Sequence, residues 1–208
     1  MNNVTEDKMK STRIQTITMT AALVIATLAV IVAANAARPA PAPVRRQMTK
    51  AEQIERGKYL VTIGGCHDCH TPWIMQPNGQ PGPDMSRALS GHPQDFRITE
   101  QAQLKGDRWG YAGAATNTAF SGPWGVSFAA NLSPDVHTGT GIWTFDIFKN
   151  TIRNGRHWGV ARPLLPPMPW FNYREMTDED LYAVYAYTRT LKPIRNEVQQ
   201  PLPPDSVE

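Results

Sequence analysis

The chain has 208 residues, of which 41% are hydrophobic and 19% charged. This balance excludes a wholly disordered or collagen-like protein, and the 18 prolines and 15 glycines predict many loops. Of the 21 basic and 18 acidic residues, three and two lie in residues 1–36, which leaves 18 basic and 16 acidic residues in the rest of the chain. Such a nearly neutral body lacks the excess of basic residues that is typical of nucleic-acid-binding proteins.

The first 36 residues have the composition of an export segment. Three basic residues precede 24 consecutive uncharged residues, which end before Arg38. A bilayer-spanning helix needs about 20 apolar residues, and Ala34-Asn35-Ala36 fits a signal-peptidase site. Residues 1–36 are therefore predicted to be a signal peptide or a membrane anchor, and residues 37–48 a Pro/Ala linker. Either alternative exports the body to the periplasmic side of the bacterial inner membrane, anchored or soluble.

Three helices are predicted in the exported body. Each follows a threonine that can cap its first turn, and Glu52 completes a capping box in the first of them. Apolar residues then recur at helical spacing until a glycine or proline stops the pattern. The three predicted helices follow Thr49, Thr144 and Thr177 and end near Gly64, Asn154-Gly155 and Lys192-Pro193.

The long segment between His70 and Pro163 is punctuated by Gly, Pro and Asn, and it predicts loops with a short extended piece at Val126-Ser127-Phe128. All six tryptophans of the chain lie within residues 73–170. They form either an aromatic core or an aromatic shell around one large apolar ligand. Residues 195–208 are predicted to be an irregular tail.

The only two cysteines lie in Cys66-His67-Asp68-Cys69-His70, the signature by which a c-type haem is attached. On a helical turn, residues i, i+3 and i+4 share a face, so both thiols can bond the haem while the His70 imidazole binds the iron. A redox dithiol would need thioredoxin-like strand and helix order, and a zinc site would need two further ligands. The motif therefore predicts one covalent haem c on Cys66 and Cys69.

The second axial ligand of the iron is predicted to be Met168. It lies between prolines that stiffen the backbone before the last helix, and a thioether ligand suits an electron-transfer haem. Met85 and His157 remain as alternatives, and Met168 could instead fill a gap in the core. Arg162, beside this loop, is a candidate partner for a haem propionate.

The other histidines have no predicted role in haem binding. His67 lies between the two cysteines and is expected to point away from the haem into solvent. His92 and His137 lie in predicted loops and are expected to be surface residues.

The chain resembles a class I cytochrome c, most closely the exported cytochrome c domains and subunits of membrane-bound alcohol, aldehyde and sugar dehydrogenases. The resemblance implies a mainly α fold, in which the first and last helices cross around one haem and Gly57 allows close approach near Tyr185 and Tyr187. It also implies that His70 and Met168 are the axial pair. The cytochrome domain would cover residues 49–194, with residues 73–130 as an inserted loop layer. The segments that carry the resemblance are Gly57-Lys58-Tyr59-Leu60-Val61, Gly64-Gly65-Cys66, Cys69-His70-Thr71-Pro72, Asn131-Leu132-Ser133-Pro134-Asp135, Thr140-Gly141-Ile142, Leu164-Leu165-Pro166-Pro167-Met168-Pro169-Trp170 and Met176-Thr177-Asp178-Glu179-Asp180-Leu181.

Two classes of function fit these residues. The first is a single-electron carrier that is not itself an enzyme, with a membrane-associated dehydrogenase as redox partner and a quinone or an oxidase as acceptor. The second is a haem enzyme of peroxidase type, which would need an open distal position in place of a bound Met168. In that case His157 or Arg162 becomes the candidate distal group.

Overall fold

The computed structural model describes residues 19, 23, 26–28, 46–104 and 108–204. The chain divides into two compact units, residues 1–47 and 48–208. Most of the predicted export segment and most of the Pro/Ala linker lie outside the described residues. Within the described residues, no helix is both long enough and apolar enough to span a bilayer.

Five α-helices lie in the described part of the second unit. The three predicted from sequence are present, and their Thr49, Thr144 and Thr177 side chains accept the capping bonds. The capping box with Glu52 is also present. Two short helices, one at the cysteine motif and one after the Met168 loop, complete the set. The helices are α1 (Lys50–Ile63), α2 (Cys66–His70), α3 (Phe145–Asn154), α4 (Trp170–Tyr173) and α5 (Asp178–Thr188).

Helices α1, α3 and α5 form a helical frame. α1 packs along α5, and α3 packs against α5 through a core of Trp143, Phe148, Ile152 and Leu181. At the contact of α1 with α5, a Cβ atom on Gly57 would collide with the Ala183 carbonyl, and its next neighbour is the Tyr187 side chain. The predicted close approach at Gly57 is therefore present, against Ala183 and Tyr187.

Residues 73–130, the predicted loop layer, contain two small antiparallel sheets. β1 (Trp73–Met75) pairs with β2 (Pro81–Pro83), and β4 (Ala119–Gly122) lies between β3 (Ala112–Gly113) and β5 (Gly125–Phe128). The prediction of a mainly α chain is thus correct only in part, because the described residues form a mixed structure. The predicted extended piece at Val126-Ser127-Phe128 lies within β5. The other strands, of two to four residues, are too short to show an alternating pattern in the sequence.

The described part of the predicted tail, residues 195–204, is irregular but makes specific contacts with the loop layer. Leu202 forms an antiparallel bridge with Val126, with both hydrogen bonds at 3.0 Å. Asn196 is only 2% exposed, and its side-chain amide donates to the carbonyls of Ser90 and His92 at 2.7 and 2.8 Å. The tail therefore fastens the loop layer from outside.

Candidate functional site

One cavity of about 480 Å³ lies between the helical frame and the loop layer. Its volume is within the range of roughly 300–1,000 Å³ that is usual for ligand sites. All five residues that the sequence predicted for the site line it: Cys66, Cys69, His70, Arg162 and Met168. The walls between them are mostly apolar side chains of α1, α3, α5 and the loop layer.

Helix α2 places the two cysteines and His70 on the cavity. The helix begins after Gly65, which has a left-handed φ of 64°, so the chain turns sharply out of α1 before the motif. Both cysteines are free thiols. Burial, with the nearby Asp68 charge, raises the pKa of Cys66 to about 11 and also raises that of Cys69. Both sulfurs are therefore neutral thiols at neutral pH.

The His70 imidazole is held in a single tautomer. Its Nδ1 lies 2.8 Å from the Ala130 carbonyl oxygen, and because a carbonyl can only accept, Nδ1 carries the proton. Burial lowers the pKa of His70 despite this hydrogen bond, which favours the neutral ring. The unprotonated Nε2 is thus available to a metal, the arrangement that second-shell hydrogen bonds give to histidine ligands.

The loop that carries Met168 is fastened on both sides. The Leu164 amide donates to the Gly155 carbonyl at 2.8 Å, at the end of α3. From β5, the Ser127 hydroxyl donates to the Pro166 carbonyl at 2.6 Å. Met168 is half-buried, packs against the core between α3 and α5, and lines the cavity. Its position is compatible with both roles considered from the sequence, ligand and core residue.

The alternative ligands differ in position. His157 lines the cavity, whereas Met85 does not and is 56% exposed. Arg162 is exposed and also lines the cavity; its one side-chain hydrogen bond in the described structure goes to the adjacent Pro163 carbonyl at 3.3 Å. Its remaining donors can therefore serve an anionic group in the cavity.

Two histidines are not where the sequence predicted them. His92 is completely buried instead of lying at the surface; it contacts Thr118 Oγ1 at 2.9 Å and the Phe96 carbonyl at 2.6 Å. His67 is half-buried, and its Nδ1 lies 2.8 Å from Thr71 Oγ1. His137 is exposed, as predicted. Buried histidines in loops carry no periodic signal in a sequence.

The tryptophans do not form a shell around the cavity. Trp143 alone among the six lines it, while Trp109 is 71% exposed. Sequence reasoning also missed Ser127 and Ala130, which fasten the loop of Met168 and the ring of His70. Ala130 acts through its backbone carbonyl, so no side-chain pattern could have identified it.

The residues around the cavity fit a covalently attached haem. Two free thiols and a neutral imidazole lie on one face of α2, a methionine lies on a separate loop, and an exposed arginine lines the same cavity. Thiols at this spacing and a histidine with a fixed second nitrogen are what a c-type haem requires.

Comparison with curated proteins finds relatives that are cytochrome subunits of dehydrogenases. A fructose dehydrogenase cytochrome subunit of Gluconobacter japonicus is 30% identical over 164 residues, which are 78% of this chain and 25% of that protein. A gluconate 2-dehydrogenase cytochrome c subunit of Pantoea cypripedii is 28% identical over 137 residues, 64% of this chain and 22% of that protein. The chain is a homologue of dehydrogenase cytochrome c subunits.

The homology is to part of longer proteins. The cytochrome c subunit of a quinone-dependent alcohol dehydrogenase of Gluconacetobacter polyoxogenes is 29% identical over 150 residues, which are 71% of this chain but 24% of that protein. This chain thus spans a quarter or less of the length of these three relatives. No protein-family model matches the chain.

Proposed function

We propose that the chain is an exported, single-electron carrier that holds one covalent haem c and works with a dehydrogenase. The observation that carries this proposal is the cavity that brings Cys66, Cys69, His70 and Met168 together in a homologue of cytochrome c subunits. A haem bound there supplies reversible one-electron chemistry. The chain's own residues hold the group, set its potential and limit the access of water.

Each residue has a distinct task in this proposal. Cys66 and Cys69 bind the haem covalently, and His70 binds the iron through the Nε2 left free by the bond to Ala130. Met168 would also bind the iron, and a thioether ligand raises the reduction potential relative to a second histidine. Arg162 pairs with a propionate, which neutralises charge in the cavity.

The electron donor in this proposal is a membrane-associated dehydrogenase, and the acceptor is a quinone or an oxidase. The names of the homologues support a dehydrogenase partner, since they are cytochrome subunits of fructose, gluconate and alcohol dehydrogenases. Such a chain is a redox component and not the subunit that oxidises the substrate. Its place is the periplasmic side of the inner membrane, because residues 1–36 have the composition of an export segment.

A haem enzyme of peroxidase type is the second candidate. The observation in its favour is that His157 and Arg162 line the same cavity as Met168. A polar group beside an open iron position could serve as acid or base. The two candidates differ in whether Met168 binds the iron or leaves that position open.

Two measurements on the purified protein test the haem and its ligands. Acid–acetone should leave the haem on the denatured wild-type chain, whereas full release would contradict covalent attachment. The oxidised protein should show the weak near-infrared sulfur–iron band, which Met168→Ala should abolish while lowering the reduction potential. Met85→Ala is the matched control and should change neither property. A wild-type band that survives Met168→Ala would exclude Met168 as ligand.

The role is tested by purifying the chain from native membranes and adding substrates of the dehydrogenase that accompanies it. Rapid and stoichiometric reduction of the haem supports the carrier. A chain that purifies alone and turns over peroxide at a high rate would support the enzyme instead.

The location is tested by cell fractionation and N-terminal sequencing. The chain should be found free in the periplasm or on the outer face of the inner membrane, and a sequence starting at Ala37 would demonstrate cleavage. Haem protein in the cytoplasm would contradict the proposal.

A further inference from the structure

Residues 156–163, here called the Trp158 loop, present an aromatic ring in an unusual backbone conformation. Trp158 has a φ of 57°, a left-handed value that bulky residues rarely adopt, and its side chain keeps 39% of its surface exposed. The loop is closed by hydrogen bonds of its own, from the His157 amide to the Arg162 carbonyl at 2.9 Å and from the Ala161 amide to the His157 carbonyl at 2.8 Å. Strain held in a rigid loop is a feature of functional sites.

This exposed ring is one side chain away from the cavity. The ring centroid of Trp158 lies 5.4 Å from that of Trp143. Trp143 is only 8% exposed and lines the cavity, as does His157, whose ring centroid is 5.5 Å from that of Trp143. The Trp158 loop therefore joins the outer surface to the proposed haem site through packed aromatic rings.

The loop surface combines an apolar centre with free positive charge. Val160, two residues after Trp158, is 80% exposed. Arg156 lies beside these side chains, and its guanidinium group donates to the backbone carbonyl of Ala161 at 2.9 Å. Within the described residues Arg156 has no carboxylate partner, whereas nearby Arg153 is paired with Asp178 at 2.7 Å.

We infer that the Trp158 loop is the surface on which the dehydrogenase docks, and that this partner offers an apolar contact with a carboxylate beside it to meet Arg156. The inference rests on the proposed function. Tryptophan and arginine dominate the binding energy of many interfaces, and unpaired charges around the contact steer a partner of opposite charge. One electron passes at this contact from the reduced cofactor of the dehydrogenase to the bound haem, and no bond or proton changes in the loop.

The test replaces the chain in its source organism with tagged, full-length variants. Arg156→Glu reverses a flanking charge, and Val160→Asp places a charge at the exposed centre. Their matched controls are Arg195→Glu and Ile74→Asp, at exposed positions that do not line the cavity. Two quantities are measured, the yield of the dehydrogenase subunit that co-purifies with the tag and the rate of haem reduction after substrate is added.

We expect Arg156→Glu and Val160→Asp to lower both the yield and the rate by about tenfold at low ionic strength, with unchanged haem content. The effect of Arg156→Glu should shrink as salt is added, and the controls should stay within about twofold of wild type. If the wild-type haem is reduced and the loop variants behave like their controls, the docking surface is wrong while the carrier remains. If substrate fails to reduce the wild-type haem, that result contradicts the proposed function and therefore also the docking surface, which rests on it.

Discussion

Different interactions stabilise the helical frame and the loop layer. α1, α3 and α5 meet through apolar side chains such as Phe148 and Leu181, and α1 approaches α5 closely only because residue 57 is glycine. The loop layer has a smaller apolar cluster, Ala119, Val126 and Phe128, and it is also fastened by buried polar groups, among them His92 and Asn196. The frame thus depends mainly on shape, whereas the loop layer depends in addition on buried polar groups keeping their partners.

The cavity lies where these two regions meet, and each contributes to it. The frame and its adjoining loops supply His70 and Met168, while the loop layer supplies the Ala130 carbonyl and the Ser127 hydroxyl that hold them. A change in either region should therefore affect the haem site. A steric change in the helical frame should separate helices, whereas loss of a polar group in the loop layer should loosen loops.

The largest effect is expected from Gly57→Val. Its side chain would meet the Ala183 backbone, which cannot move without separating α1 from α5. Overpacking of this kind should lower the free energy of unfolding by about 3 kcal/mol. Urea unfolding of the haem-loaded protein measures the loss. Gly110→Ala is the control, because a Cβ there would meet no atom within 4 Å; equal stability of the two variants would contradict the close contact.

Asn196→Ala tests the polar fastening of the loop layer. The Asn196 side chain accepts from the Gln94 amide at 2.9 Å and donates to the Ser90 and His92 carbonyls. Removing it leaves buried backbone groups without partners, which should cost about 2 kcal/mol. Limited proteolysis should then cut within residues 73–130 before it cuts the helices. Gln200→Ala, at an exposed position, should leave the cleavage pattern unchanged.

His92, which is buried in the loop layer, should make the stability of the folded chain depend on pH. Burial lowers the pKa of His92, so the ring stays neutral in the folded chain while the unfolded chain takes up a proton below about pH 6.5. Stability should therefore fall as pH drops below about 6.5, by at most about 1.4 kcal/mol per pH unit from this residue.

The measurement compares urea unfolding of wild type and His92→Gln between pH 5 and 8. The variant should lose part of the acid sensitivity, and the rest should remain because burial also lowers the pKa values of His67 and His157. His137→Gln, at an exposed position, should retain the wild-type slope. Identical slopes for wild type and His92→Gln would exclude a buried neutral His92.

The same contrast explains how far the sequence could predict the molecule. Helical periodicity and threonine caps identified α1, α3 and α5, because apolar spacing and capping bonds are local in the chain. The bonds of the loop layer join residues far apart, such as Asn196 to Ser90, and leave no local pattern. The candidate site divides in the same way: the cysteine motif could be read directly, whereas the support from Ser127 and Ala130 could not.

The smallest expected effect is that of Ser127→Ala, which tests whether the loop layer positions Met168. The Ser127 hydroxyl donates to the Pro166 carbonyl, two residues before Met168, and the bond should contribute about 1 kcal/mol. Its loss should loosen the Met168 loop without removing the thioether. The sulfur–iron band should therefore be present at neutral pH but disappear at a lower urea concentration than in wild type, ahead of global unfolding. Ser86→Ala, in the exposed turn after Asp84, is the control and should leave the midpoint of band loss unchanged. If Ser127→Ala behaves in the same way as the control, the Met168 loop is held by the helical frame alone, through the Leu164 bond to Gly155.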